Sequence, residues 1–175
     1  MPPTWHVWLV TDVYPPNCGG SGWSTHELAR TLRNQGHRVE VIQVDAASSQ
    51  VRTRTYDEIA VSEVGVRQAR SVRRRLGARD YAHGTMATYL AQRLRDEPDV
   101  DLVHGQHLHS TPPAVQAAHE HGRATVATVR DYWPVCLHGT AWRALENCPS
   151  CTADNLRGCM KEYWGWPRPV GQVMV

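Results

Sequence analysis

Apolar positions along the chain switch between two spacings, one suited to strands and one to helices. Residues 5–10 (WHVWLV) form a short, nearly continuous apolar run, as a strand buried on both faces would. A polar, proline-containing loop follows over residues 12–23. Ser24 stands three residues before Glu27, the spacing of a capping box, and predicts a helix start there; Leu28, Ala29 and Leu32 supply the apolar stripe. Gly36 falls where that helix should end in a left-handed residue. Residues 38–44 (RVEVIQV) alternate valines in a β-rich run, which completes one strand–helix–strand unit.

Residues 52–57 are expected to be loop, and residues 59–66 (IAVSEVGV) a third strand. Met86, Leu90 and Leu94, at four-residue spacing, predict a helix over 81–95. Residues 100–108 (VDLVHGQHL) predict a fourth strand, and residues 124–129 (ATVATV) a fifth. Between them Ser110 or Thr111 would cap a helix that takes Pro112 in its first turn and ends before Gly122. Beyond Arg130 there are turn signals, four of the seven tryptophans and most of the cysteines, without a clear period. The alternation predicts an α/β fold: a Rossmann-like, doubly wound parallel sheet over residues 1–135, followed by a cysteine-rich loop region over 136–175, all in one domain.

Bulk properties narrow the class. A chain of 175 residues suits one domain with a sizeable core. Hydrophobic content of 41% beside 21% charged residues reads as soluble and globular, and a net charge of +2 is too small to indicate a nucleic-acid partner. No apolar run approaches the ~20 residues of a membrane span, and the first residues lack the basic-then-apolar design of a signal peptide. A cytoplasmic location is the expectation. Cysteines there serve more often as metal ligands or free thiols than as disulfides.

The stretch GGSGWST raises the first chemical question. Gly20, Gly22 and Thr25 approach the dinucleotide fingerprint, with Asp45 placed at the end of the second strand to hold a ribose. The third glycine is missing, however, and the loop before the glycines is too long for that fingerprint. A longer loop ending in bare amides at a helix N-terminus favours an anionic ligand reaching into a cleft, with Gly19, Gly20, Ser21 and Gly22 in contact. A plain turn is the remaining reading.

Three segments carry a family resemblance. VYPPNCGGSGWSTHELARTLRNQGHRVEVI resembles the start of the family 4 retaining glycosyltransferases, EPDVDLVHGQHLHS their PDVVHxHxxH strand, and VATVRDYWPVC their TLHDYWxxC segment. The resemblance implies the N-terminal, acceptor-side half of a GT-B enzyme, which moves a sugar from a nucleotide-sugar to a sugar or lipid-linked acceptor. The C-terminal donor-binding domain, with its paired glutamates, is not in these residues, so this chain alone is expected to be inactive. Gly19 and Gly20 match the loop that approaches the donor phosphate or the acceptor; His104 and His109 match family histidines; Gln106 stands where another is common. At the end of the fifth strand the family's His-Asp is replaced by Arg130-Asp131. Arginine is no base at neutral pH, but its planar fork suits a phosphate or carboxylate. Arg130, Asp131 and His109 are the candidate catalytic residues. Pairing of Arg130 with Asp131 is the plainer alternative. No catalytic metal is implied.

Of the histidines at the fourth strand's end, alternation would put His107 and His109 on one face and His104 on the other. A metal chelate there lacks further ligands, so they read as satisfied or cleft-lining. Cys136, Cys148, Cys151 and Cys159 follow C-x11-C-x2-C-x7-C. The Cys148–Cys151 knuckle suits one ion, and four thiolates would complete a structural zinc site, with His138 as a substitute ligand; free thiols, a disulfide or an iron–sulfur centre remain open. The rival to a transferase is accordingly a non-catalytic Rossmann-like binding module with a zinc knuckle. Cys18, alone in the glycine loop, has no local base and reads as incidental. Six arginines between Arg67 and Arg79 read as a solvated face, with weak peripheral membrane contact as the alternative.

Overall fold

The structure, a computed structural model, describes residues 3–66, 78–136, 139–143, 146–148 and 150–164. Its residues fall into two compact units, residues 1–71 with 78–128 and residues 72–77 with 129–175. Residues 67–75 of the arginine run, and His138, lie outside the described residues.

The first unit contains β1 (His6–Thr11), α1 (Gly20–Asn34), β2 (Arg38–Asp45), β3 (Val51–Tyr56), β4 (Ile59–Gly65), α2 (Ala78–Asp96), β5 (Leu102–Gly105), α3 (Thr111–Glu120) and β6 (Ala124–Ala127). The six strands form one sheet in the order β3-β4-β2-β1-β5-β6. Every neighbouring pair is parallel except β3–β4. The Rossmann-like reading therefore holds, with one addition. Residues 52–57, expected as loop, run mostly in an antiparallel edge strand, in register from Val51↔Val64 to Tyr56↔Ile59. Its sequence VRTRTY alternates long cations with β-branched threonine, which suits a half-exposed edge, where Arg54 pairs with Glu63 at 2.7 Å. The hairpin turn places Asp57 and Glu58 at φ 48° and 59°, so a tight turn forms without the glycine that usually signals one.

Strand alternation splits β1 between two cores. Val7 and Leu9 pack with Val41, Ile59, Val61 and Ala29 of α1; Trp8 and Val10 pack with Ile42, Leu90 of α2 and Ala117 of α3. Helices thus cover both faces. The later turns follow their sequence signals: Gly36 and Gly122 end α1 and α3 at φ 91° and 64°, and Pro112 sits in the first turn of α3.

In the second unit, the region expected to be loop contains a two-stranded hairpin, β7 (Trp142–Arg143) with β8 (Glu146–Asn147), and α4 (Ala153–Trp164). Among the residues of α4 whose side chains are described, Leu156, Cys159 and Met160 mark its apolar side, with Gly158 between them, a short signal inside a polar segment.

Under the sheet, charge is tightly paired. Arg93 of α2 stacks 4.8 Å over Trp8, donates to both oxygens of Glu40 at 2.6 and 2.9 Å, and also pairs with Glu97. Burial pushes the Glu40 carboxyl up, but hydrogen bonds from Arg93 and Ser62 outweigh it and hold the group below the usual carboxylate range. A carboxylate with a depressed folded-state pKa adds stability above its unfolded pKa and loses it as pH falls through the folded one. Stability should therefore decline on acidification below about pH 4.3. Arg93→Met should cost about 2–3 kcal/mol at neutral pH, somewhat less than a fully buried pair because both side chains keep some solvent contact, and should flatten that acid decline. Urea unfolding from pH 3 to pH 7 checks both.

Candidate functional site

In open α/β sheets, ligands sit beyond the carboxyl ends of the strands where connections leave in opposite directions. Here that point lies between β1, which leads through α1 to β2, and β5, which leads through α3 to β6 on the other side. The glycine loop follows β1, and the histidine segment follows β5.

Helix α1 starts five residues earlier than the capping-box spacing indicates. Gly20 is its first residue, Gly19 is the N-cap in an extended conformation, and no side chain caps the end. Ser24 and Glu27 lie inside the helix, with Glu27 paired to Arg30 at 2.6 Å. The N–H groups of Gly22 and Trp23 reach the Gly19 carbonyl at 3.1 and 3.3 Å, so the glycines themselves form the first turn.

The three glycines are not equivalent. A Cβ on Gly22 would lie 2.5 Å from Cys18 Sγ, 2.7 Å from Cys18 Cβ and 3.3 Å from the Val13 carbonyl oxygen. Internal packing explains that glycine. At Gly19 and Gly20 an added Cβ meets nothing within 4 Å among the described residues, and neither has a positive φ. Neither crowding nor backbone geometry calls for glycine there; an external group approaching the backbone would. Ser21, between them and Gly22, accepts from the Thr25 hydroxyl through its carbonyl at 3.0 Å. Cys18, read as incidental, packs against this turn. Burial pushes its thiol up, while the Trp23 backbone N–H pulls the other way; the net rise keeps it from being an activated nucleophile.

Two side chains that the sequence reading passed over tie the loops together. Thr11 Oγ donates to the Val13 carbonyl at 2.9 Å and lies 2.8 Å from His107 Nδ1, which assigns the Nδ1 proton to the histidine. Asp12 Oδ2 accepts the His109 backbone N–H at 3.0 Å, and its Oδ1 is buried with no hydrogen-bond partner among the described residues. Their signal was available: an uncharged and an acidic polar residue directly ending an apolar strand. Strand β5 stops at Gly105, so His107 and His109 do not share a strand face as alternation predicted. His104 instead bonds Thr128 Oγ at 2.8 Å, and Gln106 is fully buried. Asp45, the candidate ribose ligand, is engaged by Arg52 at 2.6 Å and by the Ala47 N–H.

The remaining candidates belong to the second unit. Arg130 is exposed, and Asp131 Oδ1 accepts the Trp133 N–H at 2.9 Å, shaping a turn closed by Tyr132 N–H to the Gly139 carbonyl. Cys148 Sγ lies 3.7 Å from the Ser150 carbonyl, but among the described residues no three of the cysteine thiols converge within 4.8 Å. The donor atoms that do converge belong to His6, Glu40 and Glu97 under the sheet, where the Arg93 guanidinium already occupies both carboxylates.

Fold and site together define a Rossmann-like domain with a glycine turn at the sheet's switch point. The family model of Glycosyltransferase Family 4 matches residues 18–153, from the glycine turn through the cysteine segment. The chain belongs to that family, and its sheet is that of an N-terminal GT-B glycosyltransferase domain. Among solved structures it is similar to a glycosyltransferase from Rickettsia africae ESF-5, at 15% identity and a TM-score of 0.37, over 70% of this chain and 28% of that one. This chain thus spans under a third of that protein's length. No curated protein matches it. No helix among the described residues is long and apolar enough to cross a membrane.

Gly22→Ala should destabilise the domain by about 1–3 kcal/mol, because Cys18 and the Val13 carbonyl must shift. Gly20→Ala should leave stability unchanged or raise it by up to ~1 kcal/mol, since alanine favours a helix. Parallel urea titrations of the two variants separate these outcomes.

Proposed function

We propose that this chain is the acceptor-side half of a retaining glycosyltransferase acting on a nucleotide-sugar, with a second α/β domain needed to grip the donor. The observation that carries the reading is the pair Gly19–Gly20: glycines without an internal cause, at an uncapped helix start beside the sheet's switch point. In this reading their amides approach the donor phosphate or the acceptor, with Ser21 and Gly22 completing the turn. His109, fixed through its backbone by Asp12, lines the acceptor side.

The chemistry breaks the bond between the sugar C1 and the diphosphate oxygen, whose electron pair leaves with the diphosphate. The acceptor oxygen bonds C1, and its proton passes to the departing phosphate, so no strong enzymic base is required. Arg130 suits this as a fixed positive charge for a phosphate or carboxylate, and Asp131 holds the turn that carries it. For the second unit we propose a structural zinc on Cys136, Cys148, Cys151 and Cys159. Its support is sequence spacing alone, and binding must draw the thiols closer than they stand.

In the longer enzyme, Gly19→Val and Gly20→Val should lower transfer at least tenfold while the fold persists; unchanged transfer would remove the glycine turn from the mechanism. Arg130→Ala should weaken the anionic ligand by about 10- to 100-fold, with Arg130→Lys intermediate. Isothermal titration reads this, and equal affinities would sink the role. Elemental analysis of freshly purified chain should find one zinc per molecule; no zinc with four alkylatable thiols would end that proposal.

A further inference from the structure

Trp23 lies in the first turn of α1, three residues after the open Gly20, and keeps 43% of its surface exposed. A large exposed aromatic is unremarkable by itself. This one is braced. Its ring stands at 82° to His26 with centroids 5.9 Å apart, and at 69° to Tyr56 at 6.5 Å. Both supports are fixed in turn. His26 is buried, with Nδ1 at 2.9 Å from the Tyr14 hydroxyl and Nε2 at 3.3 Å from Asp57 Oδ2. Burial pushes the Tyr14 phenol well above its ordinary value, so it stays protonated and donates to Nδ1, leaving the Nε2 proton for Asp57. Tyr56 carries the Arg54 guanidinium 5.9 Å from its ring centroid, and Arg54 is itself held by Glu63. The indole is therefore preorganised, and a ligand settling on it would order little further.

Two carboxylates lie near the indole. Glu27, one helical turn along from Trp23, is exposed, with Oε2 engaged by Arg30 at 2.6 Å and Oε1 left to accept. Asp57 is half exposed beside His26, which its Oδ2 contacts. A rigid aromatic ring with nearby carboxylate acceptors matches one ligand chemistry well: the C–H face of a pyranose lies on the ring, and its hydroxyls donate to the carboxylates.

We propose that Trp23, with Glu27 and Asp57, is a stacking platform for a neutral sugar ring of the acceptor, adjoining the glycine turn. This rests on the transferase reading above and adds the substrate class: an acceptor that presents an uncharged hexose.

The test uses the full chain labelled with 5-fluorotryptophan, with the Trp23 fluorine resonance assigned through Trp23→Phe. Maltose, cellobiose and mannobiose serve as probes, with glycerol as control. At least one disaccharide should shift the Trp23 resonance saturably and leave that of Trp142, an exposed tryptophan of the second unit, in place. Trp23→Ala should weaken that binding about tenfold or more, equivalent to ~1.4 kcal/mol. Trp23→Tyr should recover part of it, and circular dichroism should confirm that both variants fold. A Trp23 resonance moved by no disaccharide, or binding that survives Trp23→Ala, overturns the platform. Shifts that track protein concentration rather than sugar would make the surface a protein interface and overturn it equally. In the longer enzyme, wild-type transfer with an unchanged acceptor KM in Trp23→Ala rejects the platform but keeps the transferase. Absence of transfer by the wild type with sugar binding intact rejects the transferase reading alone.

Discussion

Strand β1 is buried along its whole length, and the arrangement of the upper edge depends on that constraint. All six residues, His6 to Thr11, are inaccessible, two side chains facing α1 and two facing α2 and α3. A strand so enclosed must have partners on both sides, and β2 and β5 supply them in parallel. Parallel neighbours demand crossovers, and the two crossovers leave in opposite directions. The loops after β1 and β5 therefore leave toward opposite faces, which makes this the sheet's switch point. Thr11 and Asp12, at the last turn of the chain before it leaves β1, tie those two loops at the point of divergence through His107 and His109.

The two edges of the sheet treat polarity differently. Below it, Arg93, Glu40, Glu97, Arg38 and Asp99 form a connected set of ion pairs, the Arg38–Glu97 link being the longest at 3.9 Å. Above it, Asp12 Oδ1 is buried without a hydrogen-bond partner among the described residues, and Gly19 and Gly20 have open space beside them. Orphaned buried atoms occur lower down as well, at His6 Nε2 and the Trp8 indole nitrogen, so the contrast between the edges lies in the charge pairing below and the open glycines above.

How much of this could be read from residues alone varies with the physics behind each feature. Strands β1, β2 and β4 announced themselves because burial on two faces leaves a β-rich apolar run. Strand β3 did not, because an edge strand needs only one neighbour and its VRTRTY alternation imitates a polar loop. Helix α4 was hidden by a narrow apolar stripe. The start of α1 was misplaced because Ser24 and Glu27 have the right spacing for a cap, whereas the glycines before them form the first turn without one. The glycine turn itself was legible as a feature at the start of α1. Which glycine is required by packing was not, since that depends on Cys18 folding back over Gly22. His107 and Asp12 lie 95 residues apart in the sequence, and only the parallel pairing of β1 with β5 brings their loops together.

The uncapped start of α1 bears on the choice between a glycine turn that merely bends the chain and one that binds. The first N–H groups of a helix have no partner within it, and a serine or aspartate at the N-cap commonly satisfies one, a gain of about 1 kcal/mol. Here Gly19 occupies that position, no side chain caps the helix, and no acidic residue stands in the first turn. A turn selected for stability alone would take the cap that Ser24 and Glu27, a few residues along, show to be within reach of this sequence. Leaving the positive end of α1 bare, at the sheet's switch point and beside a braced indole, sacrifices that stability and keeps two backbone amides available. The bare end is easier to explain by a phosphate or a hydroxyl that arrives from outside than by the fold's own needs.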